Sequence, residues 1–252
     1  MLRRLVAHRH LVRRLWRNQG LRLRGELLQK REPRPLAKIW ANFQCPIVNH
    51  PTQGHLLASK LHNMEIAVRA IDGLILEPGE VFSFWQTIGR PSKSRGFQSG
   101  PTFERGKMVS TYGGGLCQIS GLLFNLALES GCSIVERHSH SLDAYGERRY
   151  LPLGRDATVA WISKDLAFRN TSGFKIRFSI GVERDRAYGR VESDAEMPYR
   201  VRIDRTERRS RRFPDRDNWC GVQTEVFLSV DGKRWIPAGA FSSEYELLVP
   251  KT

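Results

Sequence analysis

Three consecutive glycines, Gly113-Gly114-Gly115, run into Leu116-Cys117-Gln118, and no other stretch constrains this chain as tightly. Glycines lose much backbone entropy on ordering and bring no side chain to pack. A run of them fits where the backbone turns sharply or is closely approached. Beyond the run, Leu122, Leu123, Leu126 and Ala127 recur at helical spacing, and Gly131 is placed to end that helix. Cys117 is therefore expected at a helix start, where unpaired N–H groups and the helix dipole favour a thiolate. The competing reading is a small apolar residue in a crowded turn.

The segment after this helix adds partners for a thiol. Ser133 to His140 reads as a strand, on which Ile134, Glu136, His138 and His140 share one face at period two. A second strand is expected from Ala157 to Trp161, after a loop ending in Gly154-Arg155-Asp156, and beside the first in one antiparallel sheet. The chain order is thus Cys117, then His138 or His140, then Asp156. A thiol, an imidazole to take its proton and a carboxylate to orient the imidazole are the parts of a cysteine triad. Asp156 could equally pin the Gly154 loop by local hydrogen bonds.

From about Lys60 to Ile180 the chain resembles the VanW family, named for an accessory gene of glycopeptide-antibiotic resistance clusters. The match is carried by Pro78-Gly79-Glu80-Val81-Phe82-Ser83-Phe84, Gly89, Gly96-Phe97 and Gly113 to Gln118. It continues through Glu136-Arg137-His138-Ser139-His140-Ser141 and Gly154-Arg155-Asp156-Ala157-Thr158-Val159. The resemblance favours His140 over His138, because the motif ends around it. It also implies that Gly114, Gly115 and Gln118 form the loop beside the thiol, with Gln118 able to donate to an oxyanion. The Cys–His–Asp order is similar to the transglutaminase and papain-like core. The cell-wall setting of the family implies peptidoglycan precursors as a substrate class. The activity implied is cysteine-dependent acyl transfer or amide hydrolysis. The alternative is a non-catalytic module that holds a cell-wall or other anionic ligand.

Charge and composition bound the partners. The chain carries +15 overall, and residues 1–35 hold eleven Arg or Lys against two acids, a net +9. Leu5, Leu11, Val12, Leu15 and Trp16 can share a helix face flanked by arginines. Such a basic amphipathic helix can lie on an anionic bilayer, so residues 1–30 are expected to meet an anionic membrane surface. No stretch approaches the ~18–20 apolar residues that cross a bilayer, and Arg or His interrupts any signal-peptide core. A cytoplasmic protein, peripheral at the inner membrane face, is the expectation. The basic runs lack the patterns of known nucleic-acid motifs, so nucleic acid is not an expected partner. The four cysteines, Cys45, Cys117, Cys132 and Cys220, include no CxxC pair and read as free thiols. The three histidines His50, His55 and His62 lack metal spacing. No metal and no cofactor are expected.

The fold class expected is α+β: a helical N-terminal part, then a helix packed on an antiparallel sheet, with a transglutaminase-like core as its nearest analogue. Three parts follow: a basic segment over 1–35, a VanW-like domain over 36–182 and a β-rich extension over 183–252. Lys38 to Pro51 reads as irregular, Leu56 to Leu74 as a helix and Val81 to Trp85 as a buried strand. Phe174 to Val182, Tyr188 to Val191 and Tyr199 to Arg205 read as antiparallel strands. Asp231-Gly232 marks a two-residue hairpin turn between Glu225–Val230 and Lys233–Ile236.

Overall fold

The structure, a computed structural model, describes residue 12 and residues 30–48, 51–104, 107–161 and 163–248. The basic amphipathic helix expected over residues 2–30 falls outside these residues, save at its two positions 12 and 30. Among the described residues from 30 on, the α-helices are α1 (Leu57–Ile71), α2 (Phe84–Ile88) and α3 (Leu116–Glu129). The strands up to the site are β1 (Lys30–Arg31), β2 (Lys38–Pro46), β3 (Leu74–Leu76), β4 (Val81–Ser83), β5 (Ser99–Glu104), β6 (Lys107–Tyr112), β7 (Ser133–Glu136) and β8 (Leu142–Asp143). Beyond it come β9 (Ala167–Arg169), β10 (Ile176–Val182), β11 (Arg186–Ser193), β12 (Arg200–Arg209), β13 (Trp219–Ser229) and β14 (Ile236–Leu247). The class is α+β, with strands predominating.

Helix α3 is the centre. Twelve of its fourteen residues are buried, and a helix apolar all round has to be covered on more than one side. One cover is a five-stranded antiparallel sheet in the order β1-β3-β10-β11-β2. Its alternating residues Ile176, Phe178 and Ile180 on β10 lie in register with Val191 and Gly189 on β11, and Ala41, Phe43 and Cys45 follow on β2. Both α1 and α3 pack on this sheet and on each other. A side chain at Gly189 would press on Leu126 of α3. The second cover is a sheet in the order β12-β13-β14-β8, from which Phe241 meets Phe124 of α3 edge-on at 5.9 Å. A small sheet β4-β9-β7 and the hairpin β5-β6 complete the described chain. Among the described residues no helix is long and apolar enough to cross a membrane.

Several expectations are corrected here. Lys38–Pro46 is not irregular but the strand β2, an edge of the main sheet. The strand expected over Val81 to Trp85 stops at Ser83, because that residue caps α2 by accepting the Gln86 N–H. The Asp231-Gly232 hairpin has a longer loop than two residues. The Asp231 carboxylate accepts the N–H groups of Lys233 and Arg234 and holds that loop open.

The two segments expected as neighbouring strands around the site differ most. Strand β7 ends at Glu136, with an irregularity in its register against β9, so residues 137–140 leave the period-two pattern. Residues 157–159 form no strand. Their backbone is spent elsewhere: Ala157 O accepts the Ser120 hydroxyl of α3 at 2.6 Å, and Thr158 N–H donates to His138 O at 2.8 Å. The segment is therefore stapled to the helix and not laddered to a sheet.

Candidate active site

The glycine turn sets the start of α3. Gly115 takes the N-cap position with φ 102°, a left-handed conformation that favours glycine. At Gly114 a Cβ atom would fall 2.1 Å from the carbonyl carbon of Gly100, so two backbones pass in direct contact. Asn63 of α1, fully buried, ties them together. Its amide donates to Gly114 O and Gln98 O, each at 3.0 Å, and its carbonyl accepts the Gln98 N–H. Cys117 is then the second residue of α3. The Leu116 and Gln118 N–H groups are used inside the turn, by Gly113 O and Gly115 O. The Cys117 N–H has no hydrogen-bond partner among the described residues. Gln118 itself is turned away: its amide N–H donates to Pro46 O at 2.9 Å, and so ties α3 to β2.

His140 and Asp156 converge on the thiol. The His140 ring is an electrostatic neighbour of the Cys117 thiol, and each favours the charged form of the other. Its Nδ1 lies 2.6 Å from Asp156 Oδ2, and its backbone N–H donates to the same oxygen at 2.7 Å. A carboxylate only accepts, so Nδ1 carries the hydrogen there and Nε2 is the ring nitrogen not engaged by Asp156. Thr158 Oγ1 at 3.5 Å and Val159 O at 3.7 Å are the other neighbours of the sulfur. His138 is not part of this group. Its Nε2 pairs with Glu136 Oε1 at 3.0 Å. The loss of strand period after Glu136 is what separates the two histidines.

The loop carrying Asp156 is bolted to the helix carrying Cys117. Asn125 of α3 donates to Arg155 O at 2.8 Å, and Arg155 pairs with Glu129 at 2.7 Å. The Asp156 carboxylate has four donors. Oδ2 takes the two from His140; Oδ1 takes Arg137 Nη2 at 3.0 Å and the Tyr245 hydroxyl. The side chains of Arg137 and Asp156 are 3% and 10% exposed, so their ion pair is shielded from water.

These contacts set the charges. Burial pushes the Asp156 carboxyl up, but the His140 hydrogen bond and the charges of Arg137 and His140 outweigh it and hold it well below the usual carboxylate range. Burial likewise opposes ionisation of Cys117. The His140 hydrogen bond and charge, with Thr158 and Val159 O, overcome it and bring the thiol down to about 7. Burial works against the His140 cation, yet Asp156 and Cys117 raise it to about 10. The pair is then a thiolate and an imidazolium near neutral pH. The other buried thiols behave oppositely: burial pushes Cys45 and Cys132 up to about 12.

Four contributors went unread in the sequence. Arg137 stood inside the motif over residues 136–141, and its place there was the available signal. Asn63, Lys60 and Tyr245 gave none. Lys60 is 3% exposed on α1, its ammonium donates to Val48 O, and a Cβ at Gly115 would sit 2.6 Å from its Cγ. Burial lowers its ammonium to about 8, against the pull of Cys117 and Cys45. Among the described residues no group of three or more His, Cys, Asp or Glu is placed to hold a metal ion.

Residues 59–191 match the family described as VanW like protein, and this is more than half of the 252 residues. The chain belongs to the VanW family. The VanW match contains Cys117, His140, Asp156 and Arg137, while Tyr245 lies beyond its end. Two curated relatives are similar to the chain. One is the uncharacterized protein YoaR of Bacillus subtilis (strain 168), 39% identical over 112 residues, which are 44% of this chain and 36% of YoaR. The other is the vancomycin B-type resistance protein VanW of Enterococcus faecalis (strain ATCC 700802 / V583), 31% identical over 155 residues, 60% of this chain and 56% of that protein. The chain thus spans about a third of one relative and just over half of the other. No solved structure matches it.

Proposed function

We propose that this VanW-family chain is a cysteine-dependent acyl-transfer enzyme, with Cys117 as nucleophile, His140 as acid and base and Asp156 as the group that orients His140. One observation carries the reading: a half-buried thiol at a helix start has as its charge partner an imidazole whose Nδ1 is held by a buried carboxylate. The Cys–His–Asp order, similar to that of the transglutaminase and papain-like core, supports it as analogy.

The steps follow from the geometry. The Cys117 thiolate bonds to the carbonyl carbon of an amide, and the C=O electron pair moves onto oxygen. The unused Cys117 N–H is the donor available for that oxyanion. When the oxyanion collapses, the C–N bond breaks and the leaving amine takes the proton from His140 Nε2. This leaves a thioester on Cys117 and a neutral imidazole. A water or a second amine then attacks the thioester, gives its proton to His140 and releases the thiolate. Water yields hydrolysis; an amine yields transpeptidation.

Peptidoglycan precursors are the proposed substrate class. They carry amide bonds, are anionic and are membrane-linked, which suits a chain of +15. Residues 1–30 are proposed to hold the protein at an anionic membrane surface, on its cytoplasmic side, with a salt-sensitive strength.

Iodoacetamide labelling followed by mass spectrometry tests the site. Near neutral pH Cys117 is expected to react ahead of Cys45, Cys132 and Cys220, with a rate that follows a titration near 7. A Cys117 that labels only after denaturation leaves the non-catalytic binding module as the reading.

A further inference from the structure

We infer that the C-terminal sheet is a working part of this site, with Tyr245 of β14 as a positioning residue for Asp156 and, through it, for His140. This deepens the proposed function and rests on it for the role of Cys117.

The alternation of β14 places Phe241, Ser243, Tyr245 and Leu247 on one face. That face is turned to the site at successive levels. Phe241 meets Phe124 of α3, and Ser243 Oγ accepts Arg137 Nη1 at 2.6 Å. Tyr245, 1% exposed, reaches Asp156 Oδ1. Its hydroxyl also accepts the Gly154 N–H at 2.8 Å. A phenol has one hydrogen, and a carboxylate can only accept. With Gly154 occupying the acceptor side, the Tyr245 hydrogen is committed to Asp156. The same strand holds the other partner: Glu246 N–H donates to Ser141 O at 2.9 Å, and Leu142 and Asp143 of β8 pair in parallel with Glu246 and Leu247. Strand β14 therefore grips the segment after His140 and the loop of Asp156 together, and fixes their separation.

All of these β14 residues lie beyond the family-matched segment, residues 59–191. The Tyr245 hydroxyl bonds to Gly154 and Asp156 and not to Cys117. It acts by keeping Asp156 an oriented anion. Without its hydrogen bond the carboxylate holds His140 less firmly, and the imidazolium supports the thiolate less.

The test uses the full chain carrying Tyr245→Phe, which keeps the ring in its packing and removes only the hydroxyl. Its pH profile for iodoacetamide labelling of Cys117 is expected to move to higher pH by about one unit, with thermal unfolding still cooperative. The proton NMR signal of the His140 Nδ1–H, recorded on the same two proteins, is expected to change its shift and exchange faster in the variant. If wild-type Cys117 labels rapidly and Tyr245→Phe keeps both its pH profile and its His140 signal, the inference is overturned while the proposed function stands. If wild-type Cys117 is unreactive, the proposed function fails, and the His140 signal alone decides: a changed signal supports positioning by Tyr245, an unchanged one overturns it. Should Tyr245→Phe fail to fold, Ser243→Ala carries the same two readouts. It is expected to shift the profile in the same direction by less, and no shift overturns the inference.

Discussion

The segment from Tyr112 to Asp156 holds the thiol, imidazole and carboxylate proposed to act together, whereas β14 holds none of them and yet bonds to Asp156 and Arg137. The first region is read largely from local pattern: a glycine turn, a helix and two polar residues at characteristic distances in sequence. The second is an antiparallel strand of ordinary alternation, outside the family-matched residues. The contrast teaches that the boundary of a family resemblance is not the boundary of the hydrogen-bond network around Asp156. Reacting groups need a few specific residues, while fixing their orientation needs rigid chain from wherever the fold can supply it.

The comparison breaks if the reacting region tolerates change. His140→Ala is expected to slow acyl transfer by about 10²–10⁴-fold, the usual worth of a general acid–base group. It should also move the labelling pKa of Cys117 up from about 7 toward the ordinary thiol value of 9.0, with the fold retained. Steady-state rates and the alkylation profile check both.

Asp156→Ala should act on both regions at once. It leaves the buried Arg137 guanidinium without its carboxylate and Tyr245 without its acceptor. Breaking a buried pair from one side costs about 3–5 kcal/mol, measurable as a lower urea midpoint. A loss of activity at unchanged stability would mean that the β14 contacts are idle.

Gly114→Ala sharpens the contrast from the other side. The new methyl meets the Gly100 backbone, which has no flexible end to swing away. Overpacking of this kind costs about 1–3 kcal/mol. Labelling of Cys117 should weaken with it, since the turn places the helix start.

The smallest effect is a pH signature. His140 is raised from 6.5 to about 10, so its contribution is full below 6.5 and is lost as pH rises through its folded value. Cys117 is lowered from 9.0 to about 7, so its contribution is present above 9.0 and is lost as pH falls through its folded value. Between the two the proton counts cancel. From pH 9 to 10 the folded pair still holds one proton that the unfolded chain has released, a fall of on the order of 1 kcal/mol from this pair. The raised thiols of Cys45 and Cys132 add to this fall, and the lowered Lys60 ammonium opposes it. Urea titrations at the two pH values check this, and His140→Gln should lessen the fall while leaving the part due to Cys45 and Cys132.

Much of the fold was legible where the signal is local. Leu122, Leu123, Leu126 and Ala127 do lie on one long buried helix, and Ile176, Phe178 and Ile180 do alternate along a strand. Lys38–Pro46 was not legible, because its strand character comes from pairing with β11, far along the chain. Val81–Trp85 was half legible: the apolar run is there, but the Ser83 hydroxyl turns it into a helix.

The sequence by itself determined the Gly113–Gly115 turn, the helix that follows it, and the presence of a thiol, two imidazoles and a carboxylate within forty residues. These depend on backbone freedom and hydrophobic period, which neighbours in sequence carry. The tertiary structure decided which imidazole the Asp156 carboxylate holds. His138 and His140 differ only because β7 ends at Glu136, and the chain then bends so that Glu136 takes one ring and Asp156 the other. It also decided what holds Asp156, because Tyr245 lies 89 positions away. A hydrogen bond between such distant residues leaves no trace in local pattern; it exists only once α3 has drawn both sheets around itself.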